Sequence, residues 1–205
     1  MVAAGSSGDR FLTLATESEG QVRERASRFL AFAFPTVSEQ AFKERAEAIA
    51  KEHHRARHHC YAWVLGPEGE RTRAHDAAEP AGTAGRPILR PIQGAGLTDC
   101  AVVVARYFGG TLLGKGGLVR AYGDAAAVAL AANTIVEKVI VVGLHVRCGH
   151  DLVGAIRNDV LRAGGHVLHG TFAAACEMTV AVPRSLAGSF ARAWCLLGAV
   201  VDQLK

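Results

Sequence analysis

"RYFGGTLLGKGGLVRAYGDAA", Arg106–Ala126, follows the apolar run Cys100–Ala105 ("CAVVVA") and leads into an alanine-rich segment that ends near Asn133. The order reads as a central strand, a glycine-rich turn and a helix over Leu118–Asn133 that packs closely on a sheet. Within it, Gly109–Lys115 spells G-x-x-x-x-G-K, the phosphate-loop pattern up to its last position, where Gly116 replaces Ser or Thr. Gly116 has no hydroxyl to ligand Mg²⁺, and Thr111-Leu112-Leu113 is apolar for a loop that wraps phosphates, so nucleotide hydrolysis is not expected. Two readings remain. The glycines permit a positive-φ turn and nothing more, or backbone N–H groups at the helix start hold an anion.

Upstream, Phe11–Ala15 and Ser27–Phe34 read as strands joined in a hairpin around the polar "ESEGQVRERA". Pro35 ends the second strand. Ser38 is the expected N-cap of a helix over Glu39–His53, and Cys60–Leu65 is a third strand. Gly66–Gly85 reads as a long loop, and Arg86–Gly96 as a short helix interrupted by Pro91. Beyond Val136, strands and helices follow in the order β-α-β-β-α-β, with Gly164-Gly165 and Gly198 placed as helix C-caps. That order is the ferredoxin-like arrangement. The expected division is a disordered tail over 1–10, a first domain over 11–136 and a second over 137–205.

The 205 residues are half hydrophobic and carry a net charge of +4. Through Glu137 there are 16 basic against 15 acidic side chains, and beyond it 7 against 4. Neither part has the basicity of a duplex-DNA binder, so any nucleic-acid role rests on a local patch. Five scattered cysteines without a C-x-x-C pair fit a reduced, cytoplasmic protein. No secretory signal or membrane span is apparent.

Arg57, Arg86, Arg106, Lys115 and Arg120 fall near loops or element ends, as do Arg55 and Arg90. Cations at a glycine turn (Gly109, Gly110) suit phosphate oxygens, and Tyr107, Phe108 and Tyr122 suit stacking on exposed bases. The alternative is a set of scattered solvated charges with the aromatics in the core. Asp76, Glu79 and Thr83 mark a second candidate site in the long loop, against the alternative that Thr83 merely caps the following helix. His53, His54, His58, His59 and Cys60 are metal-ligand types. Neighbouring strand residues face opposite ways, however, and no metal-site spacing is present, so neither a metal nor any other cofactor is expected. Cys60 reads as a buried filler rather than a nucleophile.

Four blocks in order, "SRFLA" (27–31), "ARHHCYAW" (56–63), "EPAGTAGRPIL" (79–89) and "ARYFGGTLLGKGGLVRAYGDAA" (105–126), resemble the IMPACT/YigZ family across essentially the whole first domain. The family's D-D-G-E-P loop reads here Asp76-Ala77-Ala78-Glu79-Pro80, which removes one acid and one glycine and weakens any acid–base reading. The resemblance implies an α+β protein. Its first domain would have the βαβ-type fold of elongation factor G domain IV, a ribosomal-protein second-domain-like fold. Its second would be ferredoxin-like, as in that factor's domain V. It further implies RNA or the ribosome as partner and a non-catalytic role in modulating translation. The alternative is an enzyme or sensor for a phosphorylated or nucleotide-like small molecule held at the Gly109–Lys115 turn.

Overall fold

The continuous apolar run that opens Cys100–Tyr107 suits a strand buried on both faces, and that strand lies at the centre of a five-stranded sheet. The computed structural model describes residues 7–172 and 175–204. It is a mixed α/β protein, and its chain divides into two compact units, Phe11–Lys138 and a second made of the first ten residues with Val139 onward.

In the first unit, β1 (Arg10–Leu14) is followed by β2 (Ser18–Glu24), β3 (Ser27–Pro35), α1 (Glu39–Glu52), β4 (His58–Leu65) and β5 (Arg71–His75). Then come α2 (Gly85–Gly94), β6 (Cys100–Tyr107), α3 (Gly114–Ala131) and β7 (Ile135–Val139). The main sheet has the order β2-β3-β6-β4-β5, and each neighbouring pair runs antiparallel. β3 and β4 therefore run the same way on either side of β6, and α1 makes the crossover between them. Ser38 accepts from the Ala41 N–H at 3.1 Å and caps α1 as expected.

The period of two along the strands splits the core. Phe32, Phe34, Trp63, Ala101 and Val103 face α1. Phe29, Cys60, Ala62, Val102 and Val104 face α2 and α3. On α3 the buried stripe runs Leu118, Ala121, Tyr122, Ala125, Ala126, Ala129. Its small side chains bring the helix backbone down onto β2. A Cβ on Gly20 would lie 2.4 Å from the Ala129 nitrogen, so only glycine fits there. Burying a side chain such as Phe29 or Ile88 completely contributes about 1.5–3 kcal/mol.

Three expectations change. The polar segment expected to close a hairpin contains β2 itself, which pairs with β3 around Arg25, while β1 pairs with β7. The expected loop after Gly66 contains β5, an edge strand exposed at every position. Lining one side of the sheet, it has no apolar alternation to mark it. Third, the expected disordered tail lies outside the described residues only through residue 6. Ser7–Asp9 form a 3-10 turn, Asp9 is buried, and Arg10 opens β1.

In the second unit, β8 (Val141–Cys148), α4 (His150–Arg162), β9 (His166–Phe172), β10 (Cys176–Pro183), α5 (Arg184–Leu196) and β11 (Val200–Gln203) follow in turn. The sheet has the order β11-β8-β10-β9, antiparallel throughout. Met178, Val180, Leu144 and Val146 pack with Ile156, Phe190 and Trp194 in one core. Gly164 and Gly198 adopt positive φ just past the ends of α4 and α5. Asp9 accepts from the Ser185 backbone N–H at 3.0 Å and from the Ser185 hydroxyl, which satisfies the start of α5. No described helix is long and apolar enough to cross a membrane.

Candidate functional site

Across β3, β6 and β4, register aligns Phe29, Arg106 and His58 in one row at the end of the face that carries α2 and α3. The Arg106 guanidinium lies 5.5 Å from the Phe29 ring centroid, and its side chain is only 6% exposed. Its charge is met by Glu79, whose Oε1 accepts from Nη1 at 2.6 Å and from the Tyr122 hydroxyl at 2.8 Å. The Arg106 Nε–H has no acceptor among the described residues. A buried charged donor left in that state costs about 1–3 kcal/mol or more.

The Asp76–Thr83 loop delivers Glu79 to this point. The Asp76 carboxylate accepts from the backbone N–H groups of Gly82, Ala84 and Gly85 at 2.8–2.9 Å. Burial alone would raise its pKa, but these three bonds outweigh it and hold the group below the ordinary carboxylate value. Asp76 therefore supplies the cap of α2. Thr83, a candidate site residue with capping as its alternative role, donates to the Pro80 carbonyl at 2.6 Å and does not cap α2. Ala77 (φ 45°) and Ala78 (φ 66°) are both left-handed. The aspartate and glycine of the related pattern suit that conformation better than alanine does, so the departure noted in the sequence is a source of strain here.

Beneath the loop, Cys60 Sγ lies 3.1 Å from the Asp76 carbonyl oxygen and 3.3 Å from the Tyr122 oxygen. Burial pushes the thiol up to about 12, against the opposing Tyr122 bond, so Cys60 is protonated near neutrality and is no nucleophile. Burial likewise raises the Tyr122 phenol.

A cleft of about 510 Å³ opens above this network between the loop and the start of α3. Arg57, His58, Glu79, Arg106, Phe108 and Lys115 supply its functional groups. Arg57 and Lys115 are exposed and have no acidic partner among the described residues. His58 Nδ1 donates to the Ala77 carbonyl at 2.8 Å, which leaves Nε2 free, 3.9 Å from Glu79 Oε1. Phe108 is 40% exposed and Leu112 81%. The α3 first turn borders the cleft, has no side-chain cap and contains no acid.

Of the residues expected to form one patch, Arg57, Arg106 and Lys115 meet in this cleft, together with Glu79 from the second candidate set. Arg86 lines a separate hollow beside Asp76 and Gly82. Arg120 is exposed on α3 but does not line the cleft. Two aromatic expectations are corrected. Tyr122 is fully buried and bonded to Glu79, so it is unavailable for stacking on a base. Tyr107 points to the α1 face, where its hydroxyl meets His53 Nδ1 at 3.0 Å and Arg28 covers its ring at 4.6 Å. Gly109 is required because a Cβ would lie 2.0 Å from the Ala26 carbonyl, and Gly110 has a φ of 84°. His58, by sequence only a metal-ligand type, lines the cleft opposite Arg106. Its place beside Arg106 was readable from its spacing of two from buried Cys60. His59 faces the other way and contacts the His53 carbonyl at 3.2 Å. Among the described residues, no three His, Cys, Asp or Glu side chains gather to hold a metal.

The Impact N-terminal domain model matches residues 25–130, the part of the chain that builds this cleft. The chain belongs to the IMPACT family. It is 34% identical to the IMPACT family member YigZ of Escherichia coli (strain K12) over 168 residues, which is 81% of this chain and 82% of that one. The IMPACT family member YvyE of Bacillus subtilis (strain 168) is 35% identical, covering 73% of this chain and 69% of its own. A solved structure, described as a crystal structure of a hypothetical protein, matches with a TM-score of 0.73 at 30% identity. It covers 96% of this IMPACT chain and 98% of the other.

Proposed function

We propose that this IMPACT-family chain binds RNA, on the ribosome or free, through the cleft beside α3, and so modulates translation in the cytoplasm without catalysing a reaction. The observation that carries this reading is the convergence of Arg57, Arg106 and Lys115 on the uncapped first turn of α3, with Phe108 exposed beside them. Cations and helix-end N–H groups suit phosphate oxygens, and an exposed ring suits a stacked base. The β3-α1-β4 crossover around β6 supports the likeness to elongation factor G domain IV, and the β11-β8-β10-β9 order supports a ferredoxin-like second unit. Glu79, the carboxylate in the cleft, is held by Arg106 and Tyr122, which disfavours acid–base chemistry.

Binding of single-stranded RNA, followed across a salt series, tests this. We expect Arg57→Ala and Lys115→Ala each to weaken binding and to flatten the log–log salt slope by about 0.7. Cosedimentation with ribosomes should fall in parallel. Unchanged affinity and slope in both variants would sink the reading. The concavity of the cleft favours a second reading, an enzyme or sensor for a phosphorylated small molecule, because about 510 Å³ is within the range of small-ligand sites. That reading requires saturable binding of free nucleotides with no RNA affinity.

A further inference from the structure

Three observations narrow the ligand within the RNA reading proposed above, on which this inference rests. The first is the start of α3. Leu113 offers no cap acceptor, the first turn holds no acid, and the leading N–H groups of a helix have no partner within it. The second is Arg106, which lines the same cleft with a side chain 6% exposed and an Nε–H that finds no acceptor among the described residues. Buried donors of this kind are rarely left unmet in a functioning protein.

The third is charge. Arg57, Arg106 and Lys115 stand against one carboxylate, Glu79, so arginine and lysine charges outnumber acidic ones by two. An internal RNA phosphodiester brings one negative charge. A terminal phosphomonoester brings about 1.5 to 2 at neutral pH and three acceptor oxygens. The cleft volume suits one nucleotide unit rather than a length of duplex. Phe108 and Leu112 supply an apolar surface at the same cleft for the attached sugar and base.

We infer that the cleft is a subsite for a terminal phosphate, the phosphomonoester of an end nucleotide. In this arrangement the phosphate oxygens meet the N–H groups of the α3 first turn and the side chains of Lys115 and Arg57. Arg106 forms the floor and adds its positive charge beneath the phosphate. The same chemistry is carried by a phosphorylated RNA end and by a free nucleoside monophosphate.

Short single-stranded RNAs of one sequence, ending in a 5′-phosphate, a 3′-phosphate or hydroxyls only, separate the possibilities by anisotropy at fixed ionic strength. A nucleoside monophosphate serves as competitor. We expect at least one phosphorylated form to bind about tenfold or more tightly than the hydroxyl form. The preference should vanish in Lys115→Ala and in Leu112→Asp, which places a carboxylate at an exposed position lining the cleft. Both positions are exposed, so circular dichroism should confirm that these variants fold. Lys115→Arg should retain the preference. Equal binding of all three RNAs overturns the terminal-phosphate site and leaves the RNA reading standing. Binding of the monophosphate without any RNA affinity overturns the RNA reading and keeps the phosphate site, with a free nucleotide as its source. Absence of both overturns both.

Discussion

Glu79 and Arg106 are each almost sealed from water, at 4% and 6% side-chain exposure, and each is the charge the other requires. Such a pair adds little over a well-packed apolar pair, but removing one partner strands the other. Glu79→Ala should therefore cost about 3–5 kcal/mol in the first unit by denaturant unfolding. The double variant Glu79→Leu/Arg106→Met should recover much of that loss. Additive losses instead would show that the two side chains do not act as a pair. The loop that carries Glu79 also holds Ala78 at a φ of 66°, where an L-residue with a Cβ is disfavoured by about 1–2 kcal/mol. Glycine relieves that strain and gives back part of the gain as unfolded-state entropy. Ala78→Gly is expected to raise stability by about 0.5–1 kcal/mol, and a lower unfolding midpoint would contradict the strain assignment.

Among the elements, α2 depends on a carboxylate outside itself. Asp76 is the acceptor for its leading N–H groups, and its pKa lies below the ordinary value. For a depressed carboxylate, the stabilisation is complete above the unfolded-state pKa and disappears as the pH falls through the folded-state pKa. The wild type should thus lose stability as pH drops below about 4, the unfolded-state value. Asp76→Asn should start about 1–3 kcal/mol lower at pH 7 and show a shallower acid limb. Parallel acid limbs in the two proteins would place the titration elsewhere. Elements with strong periodic patterns were legible in the sequence. β6 announces itself by continuous apolar residues, and α3 by its alanines. β2 and β5 were not, because edge strands bury one face partly or not at all. The cleft was half legible. Lys115 and Arg106 flank a turn that the glycines mark. Tyr122, however, lies on the same helical stripe as Leu118 and Ala125, and that spacing, given more weight than its stacking chemistry, places it in the core. The Arg106–Glu79 pairing joins residues 27 apart in the chain, and no local pattern encodes it.

At the scale of the whole molecule, the chain passes from one unit to the other twice, after Arg10 and after Lys138. Asp9 thereby serves a unit most of which lies beyond Val139, bonding the start of α5 at Ser185. Asp9→Ala should lower the stability of the second unit by about 1–3 kcal/mol and leave the first unchanged. In a Trp63→Phe background, Trp194 fluorescence reports the second unit alone. An unshifted Trp194 transition would mean that the Asp9 bonds contribute nothing.

The separation between Asp9 and Ser185 also has a meaning in time. Asp9 emerges from the ribosome 176 residues ahead of its partner. At a synthesis rate of about 5–20 residues per second, that is a delay of roughly 9–35 s. The unit from Phe11 to Lys138 is complete only about three-quarters of the way through that interval. The second unit must then close around a segment made long before the rest of it, so its folding waits for the synthesis of α5.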